Sequence, residues 1–584
     1  MSKNKIVKNR RPGSRWKPFF SAIGQLKLPW LWIIFAFLVN LGLTALTLQI
    51  PSVTSQLMLT GEGVAQAVRF YLLTGLIGFV QVGVQMQAEA HSVRKSRESL
   101  WNRMLNIDMS YYSLNDPQSM MSAVTTDLSQ GIVQLIGFFI YFFPAIYYVV
   151  MAMRQIFNYH PLLMAACMTV VPLKYLAVWL LGRLYFKANV SCLDNIGELT
   201  GYLSERIGHM PLIKAYNNEE AERSLGHAVA QRLFGAQMGL VRVGNINEAV
   251  NTVFTILENF IVIMAAVVFL KQGLISFADW VAFFLFTQSL FSYIDQIFGY
   301  WLTVKGIQGM LARPVEIMAA PREEFSQPEK TPVPADDSLV FEKVSFSYPG
   351  ADDAAVKDLS FTVPSGSSLA IIGLCGSGKT TAISLIERFF RPESGRILLG
   401  GVPVEEMELA DYRRRFTYVQ QGADIFSGSI RQAISYGINR ELTDEEILLA
   451  CEHTGFDDYL RLHEAGLDAP VAPAGANMSG GQRQRLVLTR ELLRAGDIVL
   501  LDEPTSALDA IASVEIKKLL NEMFADKTRL IITHDLSLIE DVDQILVLDK
   551  GEGIGIGTHR TLLKTCPHYC DMLAAIAQEK ECSL

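Results

Sequence analysis

Three short stretches in the C-terminal half combine residue types at spacings suited to phosphate chemistry. Gly373-Leu374-Cys375-Gly376-Ser377-Gly378-Lys379-Thr380 has the form GxxxxGKT and follows the apolar run Leu369-Ala370-Ile371-Ile372. A strand before and a helix after are the context this phosphate loop requires. Gly373, Gly376 and Gly378 let the backbone wrap so that its N–H groups face a phosphate, with Ser377 and Thr381 beside them. A helix starting near Lys379 adds its positive end. Lys379 is placed to neutralise β- and γ-oxygens, and the Thr380 hydroxyl to ligate Mg²⁺. Ile498-Val499-Leu500-Leu501 is a second buried-strand run and ends in Asp502 and Glu503. Asp502 is placed to hold Mg²⁺ through water, and Glu503 to polarise an attacking water as general base. Two acids closing a buried strand are costly unless they share a cation or a proton. Between the two strands lies Met478-Ser479-Gly480-Gly481-Gln482. Ser479 and the Gly480 and Gly481 amides at a helix start form a second anion site.

Ser479-Gly480-Gly481-Gln482, lying between the phosphate loop and the acidic strand, resembles the signature of the ATP-binding cassette (ABC) family. The resemblance implies that two cassettes clamp ATP head to tail, the signature of one capping the γ-phosphate bound by the other. It also implies roles for further positions. Tyr348, in Phe346-Ser347-Tyr348-Pro349, is similar to the aromatic that stacks on adenine. Gln421 resembles the glutamine that links Mg²⁺ to the membrane domain. Ser506-Ala507-Leu508-Asp509 resembles the loop between the two sites, with Asp509 closing it. His534, in Ile531-Ile532-Thr533-His534-Asp535, looks like the switch histidine on the γ-phosphate. Alone, a Tyr before Pro is ordinary turn packing and a His after a strand an ordinary core residue. Their order around the three motifs is what assigns them. The chain departs from the family pattern at Pro473-Ala474-Gly475, where exporters usually carry Glu-Arg-Gly, and at Met478, where Leu is usual.

The elements that must position these residues differ sharply between the two halves. The chain has 584 residues, is 50% hydrophobic and only 19% charged, and carries a net charge of −8. That balance excludes a disordered or nucleic-acid-coating chain. Residues 1–330 hold 27 Lys+Arg against 20 Asp+Glu; residues 331–584 hold 24 against 39. A basic, apolar half therefore precedes an acidic one. Residues 28–61, 70–88 and 128–153 carry no charge, and further apolar stretches begin near Pro161 and run over about 246–270 and 280–304. At about 20 residues per span these predict six membrane helices. With both termini cytosolic, the inner segments 1–27, 89–127 and 184–247 hold eighteen Lys/Arg; the outer ones hold three, Arg69, Arg154 and Lys271. The acid-free basic run at 3–27 has the composition of an organelle transit peptide, but an inside-positive flank accounts for it equally and is preferred. The first apolar run is too long for a cleavable secretory signal, and the short stretch before it leads us to expect no attached peptidase domain.

The two inner loops are long, amphipathic and poor in turn residues, which predicts helices that continue past the membrane. The expected organisation is a basic N-terminus (1–27), a six-helix all-α transmembrane domain (28–320), a proline-rich linker (321–336) and an α/β phosphate-loop ATPase domain (337–584). The seven cysteines are scattered and make neither a disulfide framework nor a zinc site; Cys566 and Cys570 lack a second Cys/His pair. This whole pattern resembles the half-size ABC transporters of exporter fold. It implies a homodimer or heterodimer of half-transporters. It also implies coupling helices near Tyr112–Ser119 and Met210–Lys214.

Lys174, Glu258 and Asp295 fall about midway in the fourth, fifth and sixth spans, where ionisable groups are costly unless they face water, solute or each other. Two readings stand: Lys174 pairs with Glu258 or with Asp295 to hold helices together, or the three line the translocation cavity. Gln81, Gln85, Asn251 and Gln288 are further polar candidates. Phe284, Phe286, Phe291 and Tyr293 are aromatic candidates that more often face lipid or other helices. The expected activity is ATP-driven export of an amphipathic small molecule, peptide or lipid from a bacterial cell membrane. Import of a metal–siderophore complex and an ATP-gated channel or regulatory ATPase are the alternatives.

Overall fold

The computed structural model describes residues 21, 23–60, 63–115, 117–159, 161–323, 332–351, 353–420, 422, 424–505 and 510–582. They divide into two compact units: Met1–Leu105 with Pro117–Ala319, and Asn106–Asp116 with Ala320–Leu584.

The first unit is all helix. Trp30–Thr47 and Ile50–Thr60 precede Val64–Met104, and Leu128–Tyr159 follows. Then come Pro161–Met168, Val171–Gly208, the short turn Met210–Ala215, Glu219–Lys271 and Phe277–Met310. Among the described residues, five helices are long and apolar enough to cross a membrane. The fourth predicted span differs, being two helices that part at Thr169–Val170. Pro172 sits in the first turn of the second helix, where its missing N–H costs nothing. The 53-residue helix Glu219–Lys271 is about 80 Å long and the 41-residue Val64–Met104 about 60 Å, so both run far beyond a hydrocarbon core of about 30 Å. Glu219, Glu220 and Glu222 in its first turn complement the helix dipole. Ser276 and Asp279 form a reciprocal capping box that starts Phe277–Met310.

Phe277–Met310 packs along Leu128–Tyr159, while Val171–Gly208 and Glu219–Lys271 pair chiefly with each other. The core between them contains Tyr148, Val262, Phe283, Phe286, Leu290 and Phe291. The outer faces are apolar too: Leu31, Phe35, Leu72, Phe79, Leu176 and Phe260 are all exposed. An apolar surface of that extent is compatible with lipid and not with water.

The second unit is built on two main sheets. β1 (Leu339–Phe346), β2 (Val356–Val363), β4 (Ser394–Leu399) and β5 (Val402–Pro403) form an antiparallel sheet in the order β2-β1-β4-β5. The larger sheet uses β3 (Ser368–Gly373), β6 (Phe416–Val419), β9 (Ile498–Asp502), β10 (Thr528–Ile532), β11 (Gln544–Asp549) and β12 (Glu552–Gly557). Its order is β12-β11-β3-β10-β9-β6, parallel except for β12. β7 (Gly428–Ser429) and β8 (Pro470–Val471) make a short separate pair. Every residue of β3 and β9 is buried, as expected for central parallel strands. A core of Phe341, Phe361, Ile383, Ile397, Tyr412 and Leu500 fills the space between the sheets. A second core, around Ile430, Phe456, Met478, Leu486 and Leu520, supports the helices before and after the signature. Met478 is buried there, so an apolar residue of similar size serves in place of Leu.

The second unit also contains the turn that joins the helices Val64–Met104 and Leu128–Tyr159. Helix Met109–Leu114 starts at Asp108, whose side chain accepts from the Ser110 N–H. The Asp108 N–H donates to Pro321 O (3.2 Å) and the Glu323 N–H to Asn106 O (2.9 Å). Glu323 in turn pairs with Arg413 (2.7 Å), which donates through Nε to the Glu387 carbonyl (3.0 Å). Glu387 is the C-cap of the phosphate-loop helix. The other expected coupling turn, Met210–Ala215, belongs to the helical unit.

Candidate nucleotide and transport sites

β3 delivers the chain into the phosphate loop at the carboxyl edge of the parallel sheet, where open α/β sheets place ligands. Gly376 and Gly378 have φ of +80° and +100°. A Cβ on Gly378 would lie 2.5 Å from the Ala355 carbonyl oxygen, so only glycine fits. The helix Lys379–Ile386 begins directly after it. Lys379 Nζ donates to Gly373 O (2.7 Å) and Leu374 O (3.1 Å). Burial lowers the Lys379 pKa, and Glu503, Cys375 and Asp502 oppose that shift. Ser377 is 3% exposed and its Oγ has no hydrogen-bond partner among the described residues. A buried hydroxyl left over in a glycine cradle fits an incoming phosphate oxygen.

β10 lies parallel between β3 and β9, and this register brings the acids at the end of β9 to the loop's edge of the sheet. Burial, with Glu503 beside it, pushes the Asp502 carboxyl up to about 6, opposed by Lys379 and by hydrogen bonds from Thr380 and Tyr418. Glu503 adopts a left-handed backbone (φ 48°) and its N–H donates to Ile532 O (2.9 Å). Strain of this kind persists where the surroundings impose it, and it clusters at functional sites. His534 Nε2 stands 3.3 Å from Glu503 Oε1. Lys379, Thr380, Asp502, Glu503 and His534 thus form one constellation. Tyr348 OH lies 3.2 Å from Thr381 Oγ1, and its ring packs edge-on against Phe346 and Phe390. Hydroxyl and carboxylate at this edge form a hard-oxygen donor set that suits Mg²⁺.

Ser479 caps a different helix, Gly480–Arg494. Its Oγ accepts from the Gln482 N–H, and Gln482 Oε1 accepts from the Ser479 N–H at 2.8 Å. The capping box uses Gln482 and leaves Ser479 exposed at the helix start. Just before it, Pro473–Gly475 forms a 3₁₀ turn with Ala474 at φ 53°. Gln421 and Asp509, with the rest of Ser506-Ala507-Leu508, lie outside the described residues. Tyr418, which donates to Asp502, is absent from the sequence reading. Only the β6–β9 pairing, which sets Tyr418 beside Leu500, puts it there.

In the helical unit, both predicted ion pairs form at once. Lys174 Nζ is 3.0 Å from Glu258 Oε1 and 2.8 Å from Asp295 Oδ1. Lys174 is 1% exposed and Glu258 3%, whereas the Asp295 side chain is 45% exposed. Gln81 and Gln85 bond to each other and to Tyr141, and Gln288 bonds to Asn259. Asn251 is half-buried. Of the aromatic candidates, Phe286 and Phe291 are core, Phe284 packs against that core, and Tyr293 stacks on Tyr148.

A phosphate-loop ATPase joined to a helical membrane unit is the class defined by this fold and site. Residues 31–294 match the model of the ABC transporter transmembrane region, and residues 356–506 match the model of the ABC transporter. The chain belongs to the ABC transporter family, as a half-size transporter of exporter fold. It is 27% identical over 502 residues to an ATP-dependent lipid A-core flippase of Haemophilus influenzae, covering 84% of each chain. It is 32% identical over 390 residues to a protein of the same name from Thiobacillus denitrificans, covering 65% of this chain and 66% of that one. Its fold is similar to that of a bacterial Atm1-family ABC exporter with ATP bound (TM-score 0.81, 21% identity, 93% of this chain and 97% of that one). The protein is a multi-pass integral membrane protein that binds ATP and couples its hydrolysis to transport.

Proposed function

We propose that two copies of this chain, or this chain and a related half-transporter, form an exporter that moves an amphipathic molecule, most simply a lipid, out of the cytosolic leaflet. The observation that carries this reading is the joint presence of Lys379, Thr380, Asp502, Glu503 and His534 in one constellation with Ser479 exposed on a separate helix start. One copy then supplies the phosphate loop and the other supplies the signature. Glu503 orients and deprotonates the attacking water, His534 holds the γ-phosphate side of the site, Lys379 neutralises developing charge, and Tyr348 receives the adenine. Thr380 and Asp502, with Gln421, are the residues that would hold Mg²⁺, which supplies charge neutralisation on the phosphates. Asp509 connects the two sites.

The dimer has support from the hairpin of Val171–Gly208 and Glu219–Lys271. Its helices pair mainly with each other. They leave Leu203, Ile207, Leu212, Phe234 and Ile246 exposed, as an arm that reaches a second copy would. The lipid cargo has support from the names of the relatives. The excess of basic residues on the inner segments supports cytosolic termini in a bacterial inner membrane. We take 28–320 as the transmembrane domain, 321–336 as the linker and 337–584 as the cassette. ATP-driven closure opens the path outward, and hydrolysis resets it. Glu503→Gln tests the assignment: the variant should bind ATP, accumulate as a closed dimer and lose turnover. Retained turnover would remove Glu503 as base.

A further inference from the structure

Lys174, Glu258 and Asp295 stand about midway in the fourth, fifth and sixth predicted spans, two acids against one base, whereas Arg183 and Glu248 lie at the inner ends of the fourth and fifth. Lys174 and Glu258 are closed off from solvent, so the unbalanced charge emerges at Asp295, which is half exposed. Asp295 does not stand alone on its helix. Ser292, Gln296 and Gly299 are exposed as well, at helical spacings of three, one and four residues from it. A polar strip bearing a carboxylate at mid-span does not face hydrocarbon; it borders water or solute. The strip ends beside an aromatic pair. Tyr175, next to Lys174 and exposed, packs against Phe298, one helical turn from Asp295, with ring centroids 5.3 Å apart.

We propose that this strip is the head-group site of the translocation path and that it selects amphipaths with a cationic head, a protonated amine or a quaternary ammonium. The incoming cation takes over Asp295 as counter-ion while Lys174 keeps Glu258, and the Tyr175 and Phe298 rings offer faces for cation–π contact. An anionic head at the same place meets the net negative charge of the two acids and one base, exposed at Asp295, and is rejected. The inference rests on the transport reading above and adds the class of cargo.

The test is binding without nucleotide, using the full-length protein in phosphatidylcholine nanodiscs. A fluorescent dansyl-labelled dodecyl ammonium probe is followed by anisotropy and displaced, below micellar concentration, by dodecyltrimethylammonium, dodecyl maltoside or dodecyl sulfate. We expect saturable binding, displacement by the quaternary ammonium at concentrations at least about tenfold lower than for either other head, and a Kd raised about tenfold or more in Asp295→Asn. Asp295→Glu should stay within about threefold of the parent. Equal displacement by cationic, neutral and anionic heads would overturn the proposal without recourse to any variant. So would a Kd unchanged in Asp295→Asn. Binding is read without ATP, so failure here leaves ATP-driven transport standing, and failure of transport leaves a positive binding result intact.

Discussion

Glu503 holds a strained left-handed backbone conformation within 3.3 Å of His534, and its replacement is the most informative single change in the cassette. A general base contributes about 10²–10⁴-fold, so Glu503→Gln should lower phosphate release by about two orders of magnitude or more while ATP binding persists. Glu387 carries a different prediction. It is buried, its Oε1 has no hydrogen-bond partner among the described residues, and burial pushes its carboxyl up to about 7 against the pull of Arg413 and Arg494. In the unfolded chain the same group titrates near 4.3. Between those values the folded protein holds a proton that the unfolded chain releases, so stability falls as pH rises from about 4.5 to 7 and levels off above. The loss amounts to at most about 4 kcal/mol. Glu387→Gln should flatten that slope in thermal unfolding of the full chain between pH 5 and 8. The phosphate-loop residues are legible in sequence because a local turn determines their chemistry. Glu387 is not, since its carboxyl is raised by burial in the folded cassette, opposed by Arg413 and Arg494, which are distant in the chain and near only in the fold.

At the scale of elements, the P-loop helix is tied to the linker by Arg413, which bonds the carbonyls of Glu387 (3.0 Å) and Arg388 (3.2 Å) and the carboxylate of Glu323. Glu323 also donates its N–H to Asn106, so one side chain joins the nucleotide-binding helix to the turn Asn106–Asp116. Arg413→Ala removes a largely buried ion pair and two backbone bonds and should cost about 1–3 kcal/mol in cassette stability. Unfolding midpoints that match the parent would show that the tie carries no stability. Hydropathy foretells the long helices, because apolar runs and few turn residues are local properties. It does not foretell the break at Thr169–Val170, although Pro172 and Lys174 announce an irregular fourth span. It also leaves open which acid pairs with Lys174, and the packing of three helices answers that both do.

At the scale of the whole molecule, the sequence reads as a membrane half and a cassette half, and the two cores form separately around different residues. The copy number, the cargo and the direction of transport are not written in any local pattern. They are differences in affinity between states and between partners. A chain of 65.0 kDa that works as two copies should elute from detergent at twice that protein mass by light scattering, and Glu503→Gln with ATP should tighten the association. The central claim, that ATP binding and hydrolysis at Lys379, Asp502 and Glu503 drive outward movement of an amphipath, is tested most directly by flux. Inside-out vesicles containing the protein should accumulate a labelled amphipath when supplied with Mg·ATP, and the same vesicles containing Glu503→Gln should not. Accumulation only in right-side-out vesicles, or equal flux without ATP, would contradict the account.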